Sequence, residues 1–162
     1  MKRITYIFII ILLSGCAAMP SYDHFKSDSV ARYAEPQPGE SVIYFYREKK
    51  FIGSGVTYYL LDGDKKIGGL KTGMYFYYVT PPGSRTLCAE TEAKVCKTIE
   101  LEPDETYYIR GDVEWGVWIG RPTLTIVSEI EGKSTIPHLD YVTLMSDEEI
   151  KAVEASKKSI YD

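Results

Sequence analysis

Ser41-Val42-Ile43-Tyr44-Phe45-Tyr46-Arg47 and Met74-Tyr75-Phe76-Tyr77-Tyr78-Val79-Thr80 decide the fold. Both are rich in β-branched and aromatic residues, which suit a pleated surface. In an extended strand, successive side chains point to opposite faces. One face of these segments therefore collects Ile43, Phe45, Met74, Phe76 and Tyr78, and the other collects Tyr44, Tyr46, Tyr75 and Tyr77. Two strands with the same alternation predict a sheet with an aliphatic, Phe-rich side and a tyrosine side.

The same rhythm continues outward. Val56–Leu61, Lys65–Leu70, Ser84–Ala89, Val95–Leu101, Thr106–Gly111, Val113–Ile119 and Thr123–Glu129 read as further short strands. Asp62-Gly63-Asp64, Lys71-Thr72-Gly73, Pro81-Pro82-Gly83, Glu102-Pro103-Asp104-Glu105 and Glu131-Gly132-Lys133 read as turns. Strands at this spacing predict an all-β domain, a small β-sandwich. Its expected span is 41–139, followed by a tail, 140–162, in which Ser146-Asp147-Glu148-Glu149 is a capping box opening a short α-helix from Asp147 to about Lys158.

Three segments between about Val42 and Leu139 carry a resemblance. The first is Ile43-Tyr44-Phe45-Tyr46-Arg47 with Phe51-Ile52-Gly53-Ser54-Gly55. The second runs from Leu61-Asp62-Gly63-Asp64 through Gly73-Met74-Tyr75-Phe76 to Pro81-Pro82-Gly83, and the third is Arg121-Pro122-Thr123-Leu124-Thr125-Ile126-Val127. Together they resemble the bacterial lipoprotein family of the domain of unknown function 2846. The middle segment also looks like a PEGA module. The resemblance implies a PEGA-like, immunoglobulin-like sandwich and a surface address. It implies no site residues, because these are turn and strand motifs.

The N-terminus gives an address of its own. Lys2 and Arg3 precede the apolar run Ile4–Leu13, which is too short to span a bilayer and suits an export signal. Leu13-Ser14-Gly15-Cys16 then resembles a lipobox. Residues 1–15 are thus expected to be a cleaved lipoprotein signal peptide, with Cys16 the lipidated first residue of the mature chain. Ala17, where an aspartate would favour the inner membrane, points to an outer-membrane anchor facing the periplasm. Residues 16–40 contain Pro20, Pro36, Pro38 and Gly39 and read as a flexible tether, with a helical turn conceivable over Ser27–Tyr33. About 24 extended residues would reach roughly 80 Å.

That compartment bears on the two remaining cysteines. Cys88 and Cys96 lie opposite each other across a hairpin turning near Glu92, and an oxidising envelope favours a disulfide between them. A metal pair or redox couple is the poorer reading. Zinc wants four ligands, only His24 and His138 could help, and no C-x-x-C motif occurs.

Charge and motif narrow the function. The whole chain is −4; residues 1–15 hold Lys2, Arg3 and no acid, so the mature chain is −6. This argues against a nucleic-acid partner and against wholesale adsorption onto anionic lipid. Gly53-Ser54-Gly55 lacks the spacing of a nucleophile elbow, and neither His24 nor His138 has motif partners. Glu90, Glu92, Glu100, Glu102, Asp104 and Glu105 fall at turns and edges, where charge keeps loops solvated. No catalytic residue, metal or cofactor is expected. The expected function is a non-enzymatic, membrane-anchored interaction or envelope-accessory module. The alternatives are an enzyme acting on envelope glycan or peptide, and a small-ligand or lipid-binding domain.

Tyr44, Tyr46, Tyr75 and Tyr77 have two readings. They stabilise a half-wet sheet by cross-strand stacking, or they form an exposed face, bordered by Arg47, Lys49 and Lys50, for an envelope protein or cell-wall glycan.

Overall fold

The computed structural model describes residues 24–28, 30–91, 93–114 and 120–161. The strands are β1 (Phe25–Asp28), β2 (Ser41–Arg47), β3 (Tyr58–Asp62), β4 (Lys65–Leu70), β5 (Met74–Thr80), β6 (Gly83–Glu90), β7 (Lys94–Leu101), β8 (Thr106–Glu114), β9 (Arg121–Val127) and β10 (Asp140–Leu144). Two α-helices, α1 (Glu129–Thr135) and α2 (Asp147–Tyr161), accompany them, with a 3-10 turn at Ile136–His138. The strands form a six-stranded sheet, ordered β1-β10-β5-β2-β8-β9, and a four-stranded sheet, ordered β4-β3-β6-β7. The protein is a β-sandwich with short helical additions.

The alternation in β2 and β5 sets the register. The two strands are antiparallel, with Tyr44 opposite Tyr77, Phe45 opposite Phe76 and Tyr46 opposite Tyr75. Strand β8 runs parallel to β2 on the other side, bringing Tyr108 beside Tyr44 and Ile109 beside Phe45. The inner face so made packs Ile43, Phe45, Phe76 and Ile109 against Tyr58, Leu60, Leu70, Leu87 and Ala89 of the smaller sheet, all buried. Phe45 and Phe76 stack with ring centroids 5.1 Å apart. Burying each such side chain contributes about 1.5–3 kcal/mol.

Several boundaries differ from the sequence reading. The expected tether contributes β1, which pairs antiparallel with β10, so Phe25 faces Leu144 and Asp28 faces Tyr141. In place of the helical turn expected over Ser27–Tyr33, Ser27 and Asp28 belong to β1 and residues 30–33 form no regular element. The sandwich therefore begins before residue 41 and ends after 139. Neither extra strand is strongly patterned, because each gains its partner from the other end of the chain. The Glu131-Gly132-Lys133 turn is instead the middle of α1, whose N-cap Ser128 accepts a hydrogen bond from the Glu131 amide. The C-terminal helix begins as the capping box predicts: the Glu149 amide donates to Ser146 Oγ (3.3 Å) and the Ser146 amide to Glu149 Oε2 (2.9 Å).

Strand directions give the larger sheet two distinct ends. At the foot lie the starts of β1, β2 and β8 and the end of β10, followed by α2. At the tip lie the end of β2, the start of β5 and the loop 48–57. The chain thus enters the sheet at the foot.

Candidate functional site

The four tyrosines do share one face, joined by Tyr108 from β8 and Tyr141 from β10. Tyr44 stacks on Tyr108 (5.4 Å, 13°) and lies 5.9 Å from Tyr77. Tyr141 meets Tyr75 edge-on at 5.4 Å and Tyr77 at 5.6 Å. The face is not exposed, however. Tyr46 and Tyr75 are 0% exposed, Tyr44 is 4% exposed, and Tyr77 is half-buried.

The cover is the segment preceding β2. The Tyr75 hydroxyl donates to the Arg32 carbonyl (3.1 Å) and accepts from the Arg32 amide (3.0 Å). Two residues on, the Tyr44 hydroxyl donates to the Ala34 carbonyl (2.9 Å) and accepts from the Ala34 amide (2.7 Å). In extended backbone, residues two apart turn their N–H and C=O the same way. Two hydroxyls therefore do for this strap what a neighbouring strand would do. Tyr33 stacks over Tyr75 at 6.3 Å, and Arg32 sits 5.8 Å over the Tyr141 ring.

Helix α1 closes the other side. The Tyr46 hydroxyl donates to Glu131 Oε1 (3.1 Å), and Arg110 Nη1 binds the same oxygen. Gly132 lies flat on the Tyr108 ring: a Cβ there would fall 2.1 Å from Cδ1, so a larger residue would push the helix off. Burial pushes the Tyr44 and Tyr46 hydroxyls up to about 12, against the Ala34 backbone at Tyr44 and reinforced by Glu131 at Tyr46. All four predicted residues meet on one face, but as a covered layer; the exposed-patch expectation is corrected. The sequence pattern gave the face without showing what would lie on it.

Between strap, α1 and the start of β8 lies an open groove of about 540 Å³. Tyr44 and Tyr108 line its floor, and Glu35, Asp104, Glu105 and Glu129 line its rim. Glu129 pairs with Lys133 (2.5 Å), and Asp104 accepts from the Gly39 amide (2.7 Å). Both thereby fasten surrounding backbone and helix.

Cys88 and Cys96 face each other across β6 and β7 and are bonded, S–S 2.09 Å. Cys88 pairs laterally with Leu61, on the side of the smaller sheet away from Leu60 and Ala89. Cys16 and Glu92 lie outside the described residues. His138 is exposed, and His24 approaches the Tyr59 hydroxyl at 3.4 Å. Among the described residues, no cluster of three potential metal ligands occurs, and no helix is long and apolar enough to cross a membrane.

Arg47 also departs from expectation. It does not border the tyrosines but lies on the inner face, 1% exposed. Its Nη1 donates to the Val56 carbonyl (2.7 Å) and its Nη2 to the Gly53 carbonyl (2.6 Å). Burial pulls its guanidinium below the usual arginine range. Two carbonyls thus hold a buried cation, and the cation holds the loop. That loop carries Phe51, 95% exposed, and Ile52, 58% exposed. Two large apolar residues between Lys50 and Gly53 were the available sequence signal for this tip.

Against known proteins, the chain is 32% identical over 139 residues to an uncharacterized protein of Haemophilus influenzae, covering 85% of this chain and 82% of that one. The chain belongs to that protein's family. The shared stretch is long enough that it necessarily takes in most of the sandwich. No family model matches the chain, and no solved structure matches it.

Proposed function

We propose that this protein is a bacterial envelope lipoprotein of the domain of unknown function 2846 type, anchored through acyl chains on Cys16 to the periplasmic side of the outer membrane. Its sandwich serves as a non-enzymatic interaction or accessory module. The observation that carries the reading is Leu13-Ser14-Gly15-Cys16 directly after the apolar run. The cross-strand Cys88–Cys96 bridge supports it, since such bonds persist in oxidising compartments. The tyrosine layer supports a scaffold role, because its hydroxyls hold the strap and α1.

Strand β1 changes how the anchor works. Because the Met145 amide donates to the His24 carbonyl and β1 begins at Phe25, a leash of eight residue steps, at most about 28 Å, separates Cys16 from the fold. The domain is held close to its membrane. Radiolabelled palmitate should label the wild type in cells and leave Cys16→Ala unlabelled. Equal labelling of both, or none of either, would overturn the anchor.

A further inference from the structure

We propose that Phe51 and Ile52 form a lipid-docking tip, which inserts into the bilayer that carries the acyl chains; this rests on the anchor reading above. The two side chains are the outermost apolar groups of a loop that is firmly built. Arg47 grips it from beneath through the Gly53 and Val56 carbonyls. Within it, the Ser54 amide donates to the Phe51 carbonyl (3.2 Å) and the Val56 amide to the Gly53 carbonyl (3.0 Å). Across from it, Thr72 Oγ1 accepts from the Lys50 amide at 2.9 Å. Gly53, at φ +73°, makes the turn that sends the apolar pair outward. These bonds fix the loop with Phe51 pointing into solvent, so its exposure is part of how the loop is built.

Charge selects the occupant. Lys49 and Lys50 flank the pair on its N-terminal side, and both are exposed; Lys50 also pairs with Asp112 Oδ2 at 2.6 Å and with Glu48 Oε2 at 3.5 Å. The foot is acidic, with Glu40, Glu102, Asp104, Glu105, Asp147 and Glu148 around the entering and leaving strands. At the tip, Glu48, Asp112, Glu114 and Asp140 are matched by Lys49, Lys50, Lys71 and Arg121, so the net negative charge that argues against whole-domain adsorption lies more at the foot. An anionic bilayer repels the foot and accepts an apolar pair flanked by lysines.

The leash permits this orientation. The seven residues of β2 span about 23 Å between foot and tip. A leash of up to about 28 Å from the foot can run back alongside the sheet to the same membrane. Once the acyl chains hold the domain there, even a weak contact is effectively intramolecular.

The test uses the mature chain with Cys16→Ser, which removes acylation and so separates this proposal from the anchor. Co-sedimentation with phosphatidylethanolamine–phosphatidylglycerol vesicles should show binding that weakens with salt. Phe51→Ser/Ile52→Ser should reduce it at least tenfold, as expected for withdrawing two large apolar side chains. Ile130→Ser, at another exposed apolar residue, should leave it unchanged. No binding by the parent chain, or equal binding by the double variant, would overturn the proposal. So would a photocrosslinker at residue 51 that in cells joins a protein, or a second copy, and no lipid. Unchanged melting temperatures would show that the variants remain folded.

Discussion

The two faces of the six-stranded sheet begin from one sequence pattern and end as different materials. The inner face is mostly dry: Ile43, Phe45 and Phe76 meet the smaller sheet and need only shape, while Arg47 at its edge is held by the Gly53 and Val56 carbonyls. The outer face is tyrosine, and each buried ring brings a hydroxyl that must be satisfied. It is covered by backbone and a carboxylate-bearing helix because these supply the partners. The lesson is that a tyrosine stripe on a strand does not by itself mean an exposed surface. It equally suits a second buried layer whose cover is extended chain.

The comparison breaks most visibly at its dry side. Phe45→Ala removes a fully buried ring and should cost about 3–5 kcal/mol in urea unfolding. Reducing the Cys88–Cys96 bond, or replacing both with Ser, should cost about 2–3 kcal/mol, given the short loop it closes. On the outer face the loss should be smaller and local. Tyr75→Phe or Tyr44→Phe keeps the ring and removes only the hydroxyl. Each should cost about 1–2 kcal/mol and speed hydrogen exchange in the strap. Losses as large as that of Phe45→Ala would erase the distinction between the faces.

Alkaline pH sharpens it further. Tyr44 and Tyr46 bind their protons more tightly folded, near 12, than unfolded, near 10. Their stabilisation is complete below about pH 10 and is lost as pH rises through about 12. Unfolding midpoints should fall across that window, and less steeply in the Tyr44→Phe/Tyr46→Phe variant. A parallel fall in both would assign the alkaline transition to other groups.

Much of this was legible in the residues. Alternation in Ser41–Arg47 and Met74–Thr80 specified the shared tyrosine face, because period two admits one assignment once both strands pair in register. The spacing of Cys88 and Cys96 specified their opposition, and Ser146 with Glu149 specified the start of α2. The cover was not legible. Phe25–Asp28 holds a single apolar residue and is a strand only because β10, over a hundred residues later, lies beside it. Residues 30–36 carry no periodicity, since their bonds go to side-chain hydroxyls and leave no mark on their own sequence. Arg47 looked like a surface cation because nothing local announces that two loop carbonyls will enclose it.

Site-resolved hydrogen exchange at the Arg32 and Ala34 amides tests the covered face most directly. Both should exchange far more slowly than an unstructured chain in the wild type. Arg32 should lose protection in Tyr75→Phe and Ala34 in Tyr44→Phe, each variant leaving the β2 amides slow. Exchange at the unstructured rate in the wild type would contradict a strap held by tyrosine hydroxyls and would return the face to solvent.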